Sequence, residues 1–150
     1  MLTWKLQHTG SMNKLSSIFI KTSLIYLAIS TVLGLVITIG PGYSFMHSHF
    51  ALIGWLSFFV FGLAYEIIPR YSGKPLFSEK LGFIHFWLGN IGVVGMALSY
   101  PFMRMYMLKG KDFSDALLLV TLFGVIETIS IFMFIYNIWK SIGSNTNEIK

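Results

Sequence analysis

Residues 47–92 read HSHFALIGWLSFFVFGLAYEIIPRYSGKPLFSEKLGFIHFWLGNIG. Two long apolar runs are joined here by a short polar insert that contains Pro69, Arg70, Gly73, Lys74 and Pro75. A helix needs about 20 predominantly apolar residues to cross a bilayer. Both runs have that length, so the stretch predicts two antiparallel transmembrane helices, over 49–69 and 81–100. Working outward, two more runs satisfy the same criterion, at 18–39 and 116–139. Gly40-Pro41-Gly42 punctuates the chain after the first, and Pro101 with Lys109-Gly110-Lys111-Asp112 divides the third from the fourth. The expected fold is therefore an all-α membrane protein, a four-transmembrane-helix bundle forming one domain over 1–150.

Composition supports the same class. Of the 150 residues, 55% are hydrophobic and only 11% charged, and the mean hydropathy is +0.70. A small water-soluble domain cannot hide so much apolar surface, so the lipid bilayer must solvate part of it. The net charge of +5 does not point to nucleic acid, because the basic residues lie in the segments between the apolar runs, as membrane topology requires. The chain has no cysteine, which excludes disulfides, iron–sulfur clusters, thiolate zinc sites and thioether-linked heme.

Lys and Arg also set an orientation. Lys5, Lys14, Lys21, Arg70, Lys74, Lys80, Lys140 and Lys150 fall on one side of the four spans, and Arg104, Lys109 and Lys111 on the other. The positive-inside rule then places both termini on the cytoplasmic side of the cytoplasmic (inner) membrane and the 40–48 turn on the outer side.

Chemistry concentrates at Met46-His47-Ser48-His49, read as the opening of the second helix. Two histidines at i and i+2 of a helix point about 200° apart. They cannot readily chelate one metal from a single helix, but they can offer one imidazole to each of two neighbours. Two interfacial histidines hydrogen-bonded near the lipid headgroups are the other reading. Two carboxylates fall within apolar runs. Glu66 stands four residues before Arg70, the favourable order for a helical ion pair. Glu127 lies near the middle of the fourth helix, where a charged side chain costs on the order of 3 kcal/mol on insertion scales. Packing against Thr121, Thr128 or a neighbouring helix, and proton handling, are its two readings. Gly89, Gly92, Gly95 and Ser99 form a small-residue strip on the third helix, which permits either close helix contact or room for a flat macrocycle.

The 47–92 stretch resembles the tenth and eleventh helices of heme-copper oxidase subunit I, the superfamily of cytochrome oxidases and nitric oxide reductases. The residues that carry the resemblance are His47 and His49, Pro69-Arg70-Tyr71-Ser72-Gly73, Leu81 through Leu88, and Ile91-Gly92. It extends more weakly to Asn137-Ile138-Trp139-Lys140, so the chain looks like a truncated four-helix relative covering the family's ninth to twelfth helices. The resemblance implies that His47 and His49 are axial ligands of heme iron, and that the cofactor is heme b. The family's remaining heme and copper ligands come from other helices, so a complete binuclear centre is not expected within these four. The family's residue matching His85 is not a heme ligand, and His85 is read as structural.

The function that follows is heme b binding used in electron transfer or in oxygen or nitric oxide chemistry, with other respiratory subunits as possible partners. Because His47 and His49 diverge, one chain cannot close both axial sites of one iron with this pair. A homodimer with heme ligands shared between chains would supply four imidazoles at one depth. The alternative is a copper-handling or assembly subunit of a respiratory oxidase without heme. It draws on Met103-Arg104-Met105-Tyr106-Met107, on the same side as Met46, since thioethers suit Cu(I).

Overall fold

The computed structural model describes residues 11–37 and 43–143. Over these residues the chain forms four helices, each long and apolar enough to cross a membrane. They are α1 (Lys14–Ile37), α2 (Ser44–Ser72), α3 (Glu79–Leu108) and α4 (Ser114–Gly143). The predicted punctuation at Gly40-Pro41-Gly42 lies outside the described residues.

Two boundaries differ from the sequence reading. Helix α2 begins at Ser44, five residues before the expected start at 49, and His47 and His49 both lie within it. Helix α3 continues through Pro101 to Leu108. A proline frees one carbonyl and breaks most helices in water, but proline is tolerated in membrane helices because neighbouring groups re-satisfy the backbone. Helix α2 likewise contains Pro69 and ends at Gly73, whose φ of 66° is the left-handed cap that glycine adopts without strain. The centre of α2 also departs from α-geometry. Phe50–Ser57 is π-helical, and the Ser57 hydroxyl donates to the Leu52 carbonyl at 3.0 Å.

Each helix buries one stripe and turns the rest outward. On α1 the buried residues are Leu15, Ser16, Phe19, Ser23, Tyr26 and Ser30. The serines recur every seventh residue with an aromatic ring three places after each of the first two, so small and large side chains alternate along the contact. Lipid tails are as apolar as leucine, so association in a membrane rests on close packing and interhelical hydrogen bonds rather than on hydrophobic burial. Ser16 accordingly donates to the Gly62 carbonyl of α2 at 2.7 Å. The outward faces are apolar instead: Leu118, Phe132 and Trp139 on α4 are 68%, 65% and 74% exposed.

The glycine strip on α3 serves close contact. A Cβ on Gly92 would lie 2.6 Å from the Glu127 Cβ and 2.8 Å from its Cα, and one on Gly95 would lie 2.1 Å from the Phe123 ring. Helix α4 fills the space that a macrocycle would need. The ends are tied by polar side chains. Asn137 of α4 accepts from the Ser78 amide at 3.1 Å and donates to the Ser78 carbonyl at 2.9 Å, and Ser141 accepts from the Phe77 amide at 3.0 Å. Glu66 pairs with Arg70 as expected and also accepts from the Asn13 amide at 2.9 Å, at the positive end of α1. In the α3–α4 loop, Asp112 accepts from the Ser114 hydroxyl and, at 2.9 Å, from its amide, which holds the Asp112 carboxyl below its ordinary range.

Glycine-to-alanine exchanges separate close contact from propensity. Gly92→Ala drives a methyl group into the α4 backbone and is expected to cost about 1–3 kcal/mol, the usual penalty for overpacking. Gly124→Ala, whose Cβ would meet nothing nearer than the Met96 Cε at 3.6 Å, is expected to be neutral or to gain up to about 1 kcal/mol. Thermal unfolding of the two variants in detergent measures the difference.

Candidate functional site around His47 and His49

His47 and His49 both lie in the first turns of α2. Inside a helix, residues i and i+2 diverge, and here they meet different neighbours. His47 turns toward α1, where its Nδ1 lies 2.8 Å from the Ser30 carbonyl oxygen. A carbonyl only accepts, so Nδ1 carries the proton and Nε2 of the neutral ring carries the lone pair. Gly34 makes room for the ring: a Cβ there would stand 3.1 Å from the His47 Cε1. A ring N–H held on a backbone carbonyl is the arrangement that orients metal-ligating histidines and sets their tautomer.

His49 turns the other way, toward α4. Its Nε2 lies 3.1 Å from Glu127 Oε2, and both side chains are nearly buried, at 9% and 11% exposure. The ring is also held on one face. Phe45, one turn earlier, stacks on it at 5.2 Å and 15°, and Tyr100 of α3 stacks on Phe45 at 3.9 Å. Glu127 therefore answers to a neighbouring helix and not to the threonines of its own. The Thr121 and Thr128 hydroxyls donate to the Leu117 and Gly124 carbonyls within α4. The pairing spans 78 residues of sequence, and no local signal announces it.

His85 lies about 27 Å away along the bundle, eighteen helical residues by the place of its partner Tyr65 on α2. It is fully buried, its Nδ1 is 3.0 Å from the Tyr65 hydroxyl, and its carbonyl accepts from Ser130 at 3.0 Å. The rings of Phe19, Phe61 and Phe134 surround it at 4.8–5.4 Å. This aromatic core lies at the opposite end from His47 and His49, and the buried His85 Nε2 has no hydrogen-bond partner among the described residues. Sequence reasoning did not find Tyr65, Ser30 or the Phe45–Tyr100 stack, because each acts through a contact between helices.

Among the described residues no three His, Asp or Glu side chains gather as a metal site. For a heme, the donors divide. His47 has a ligand's tautomer, and its Nε2 has no hydrogen-bond partner among the described residues, but the residue lines neither of the cavities nearby. His49 does not offer Nε2 as it stands, because Glu127 holds it. Two cavities lie nearby. One of about 260 Å³ is lined by Phe45, Ser48, His49, Leu52 and Ile53; the other, of about 440 Å³, by Tyr43, Met46, Leu98, Pro101, Phe102 and Met105.

No family model matches the chain. Individual relatives do. The chain is 30% identical over 103 residues to cytochrome c oxidase subunit 1 of Corynebacterium diphtheriae, a match that covers 63% of this chain and 18% of the relative. Over 49 residues, 32% of the chain, it is 43% identical to cytochrome c oxidase subunit 1 of Rhodobacter capsulatus and 39% identical to the bacteroid cytochrome c oxidase subunit 1 homolog of Bradyrhizobium diazoefficiens. Each of these two matches covers 9% of the relative. The chain thus spans less than a fifth of the length of the curated relatives it matches. Four apolar helices and this set of homologues make the chain an integral membrane relative of cytochrome c oxidase subunit 1, matched over part of its length.

Proposed function

We propose that the chain is a single four-helix transmembrane unit that binds heme b at the α2 histidines. It would act in electron transfer or diatomic-gas chemistry beside other respiratory subunits of the cytoplasmic (inner) membrane, with both termini on the cytoplasmic side. The observation that supports this most is the His47 Nδ1 contact with the Ser30 carbonyl at 2.8 Å, which leaves Nε2 as an electron-pair donor on a chain related to oxidase subunit 1. His47 is the first axial ligand in this reading, and His49, two residues on and facing the opposite way, is the second candidate.

A bound heme would supply one-electron redox chemistry or a site for a diatomic gas. The chain's own residues do the rest. Ser30 fixes the His47 ring, Gly34 admits it between α1 and α2, and the apolar bundle excludes water, which tunes the iron through burial and hydrogen bonding to the ligand. Since His47 and His49 face apart, we propose a homodimer with heme ligands shared between chains. Two-fold pairing of the α2 helices would bring four imidazoles to one depth.

A second reading has one observation in its favour. Met46 and Met105, distant in sequence, line the same 440 Å³ cavity, and paired thioethers suit Cu(I). The optical spectrum separates the two. Purified protein supplied with heme is expected to show a Soret band and, when reduced, sharp α and β bands, and His47→Ala is expected to lose most of the bound heme. A protein that stays colourless while taking up Cu(I) would favour copper handling. The same preparation is expected to run at twice the 17.0 kDa chain mass after correction for detergent, and a monomer that keeps a bis-histidine spectrum would refute ligand sharing.

Orientation has its own test, helped by the absence of native cysteine. A membrane-impermeant maleimide added to intact cells is expected to label Lys111→Cys, in the α3–α4 loop, and to leave Ser72→Cys at the end of α2 unlabelled. The opposite pattern would invert the topology.

A further inference from the structure

We infer that an anionic phospholipid binds beside the amino end of α2, with an acyl chain in the 440 Å³ cavity and its phosphate on Arg104 and Lys109. The inference stands apart from the heme-binding reading. Depth comes first. An apolar bilayer core about 30 Å thick takes about 20 helical residues. Counted from Lys80, in the first turn of α3, that core ends near Tyr100. Tyr100 stacks on Phe45, next to the start of α2 at Ser44, so α2 begins at the same level. Helix α3 runs on for eight more residues to Leu108, about 12 Å further. Its flank there is apolar and uncovered: Phe102 and Leu108 are 60% and 71% exposed. The cavity lies where this flank meets the end of α2, walled by Tyr43, Met46, Leu98, Pro101, Phe102 and Met105. Of these six only Tyr43 carries a polar side-chain group. The volume falls within the roughly 300–1,000 Å³ of pockets that hold small ligands. At the boundary of a bilayer, the apolar chain at hand is a lipid's.

Two basic residues specify the polar half of the ligand. The α3 wall residues, Leu98, Pro101, Phe102 and Met105, recur at helical spacing and share one face. Lys109 continues that face one turn above Met105, whose carbonyl accepts from the Lys109 amide at 3.3 Å. It is exposed. Arg104 lies about 60° around the helix from Pro101. It is half-buried, yet it makes no hydrogen bond or ion pair among the described residues. A guanidinium set against apolar surface is costly without an anion, and its planar fork matches a phosphate. The acid that follows in sequence, Asp112, is taken by Ser114. A free phosphate would answer the charges but not the apolar walls. A neutral lipid would fit the walls but not the charges. An anionic phospholipid satisfies both.

The test titrates the full chain, purified in detergent and stripped of lipid, with phosphatidylglycerol, with phosphatidylcholine of the same acyl chains, and with inorganic phosphate. Native mass spectrometry reads the bound lipid and thermal unfolding reads the stabilisation. Wild type is expected to bind phosphatidylglycerol several-fold more tightly than phosphatidylcholine and to gain nothing from phosphate alone. Arg104→Gln and Lys109→Gln are each expected to weaken phosphatidylglycerol binding about fivefold, the contribution of one basic residue at an anionic surface, and to leave phosphatidylcholine binding unchanged. Leu98→Trp fills the cavity and is expected to weaken both lipids; Met105→Phe serves if the tryptophan variant does not fold. Lys80→Gln, at the other end of α3, is expected to change neither. Equal affinity for the two lipids overturns the proposal, as does a loss in Lys80→Gln that matches Arg104→Gln. So does phosphate that stabilises as well as phosphatidylglycerol, or lipid binding that ignores the cavity-filling variants. Wild type purified with copper and without phospholipid overturns it in favour of the thioether reading.

Discussion

The inward face of α4 carries Glu127, Ser130, Asn137 and Ser141, and every one of these side chains bonds to a different part of the molecule. Glu127 meets His49 of α2, Ser130 meets the His85 carbonyl of α3, Asn137 grips Ser78 before α3, and Ser141 receives the Phe77 amide. In a bilayer a polar group has no water to fall back on, so each must find its partner inside the protein. That requirement sets the rotation of α4 about its own axis. A turn of the helix in either direction would expose four polar groups to lipid at once. The α3 glycines complete the constraint, since only their missing side chains allow α4 to come near enough for these bonds to close.

The same requirement shapes the histidine pair. A lone imidazole in an apolar bundle needs a partner for its ring N–H, and the two rings find quite different ones. A backbone carbonyl of α1 takes Nδ1 of His47 and leaves its Nε2 without a partner among the described residues. A carboxyl group of α4 takes that same atom of His49. The difference arises from helical geometry, because residues i and i+2 face opposite sides and so reach different helices.

Helix ends were the least legible feature of the sequence. Local punctuation predicts an end of α3 before Pro101, but punctuation holds less weight within a membrane than in water. Proline in a helix interior costs a hydrogen bond, yet the alternative of an open backbone in hydrocarbon is worse, so α3 runs on to Leu108. The π-helical segment Phe50–Ser57 left no trace in the apolar run that encodes it. The ion pair of Glu66 and Arg70 was legible because it is local, four residues apart on one helix. The further bond from Glu66 to the Asn13 amide, across 53 residues, was not.

What the sequence determined by itself is the number of spans, their approximate limits, the presence of an acid at mid-membrane and the divergence of His47 from His49. All of these follow from composition and from the helical repeat, which are properties of neighbouring residues. Only the tertiary structure decided that the α3 glycine strip is filled by α4, that Ser30 orients His47, and that Glu127 is the group His49 meets. The reason is physical. Hydropathy tells each segment to enter the bilayer, but which faces then touch is settled by steric fit and by the pairing of buried polar groups, and those partners lie 17 and 78 residues apart along the chain.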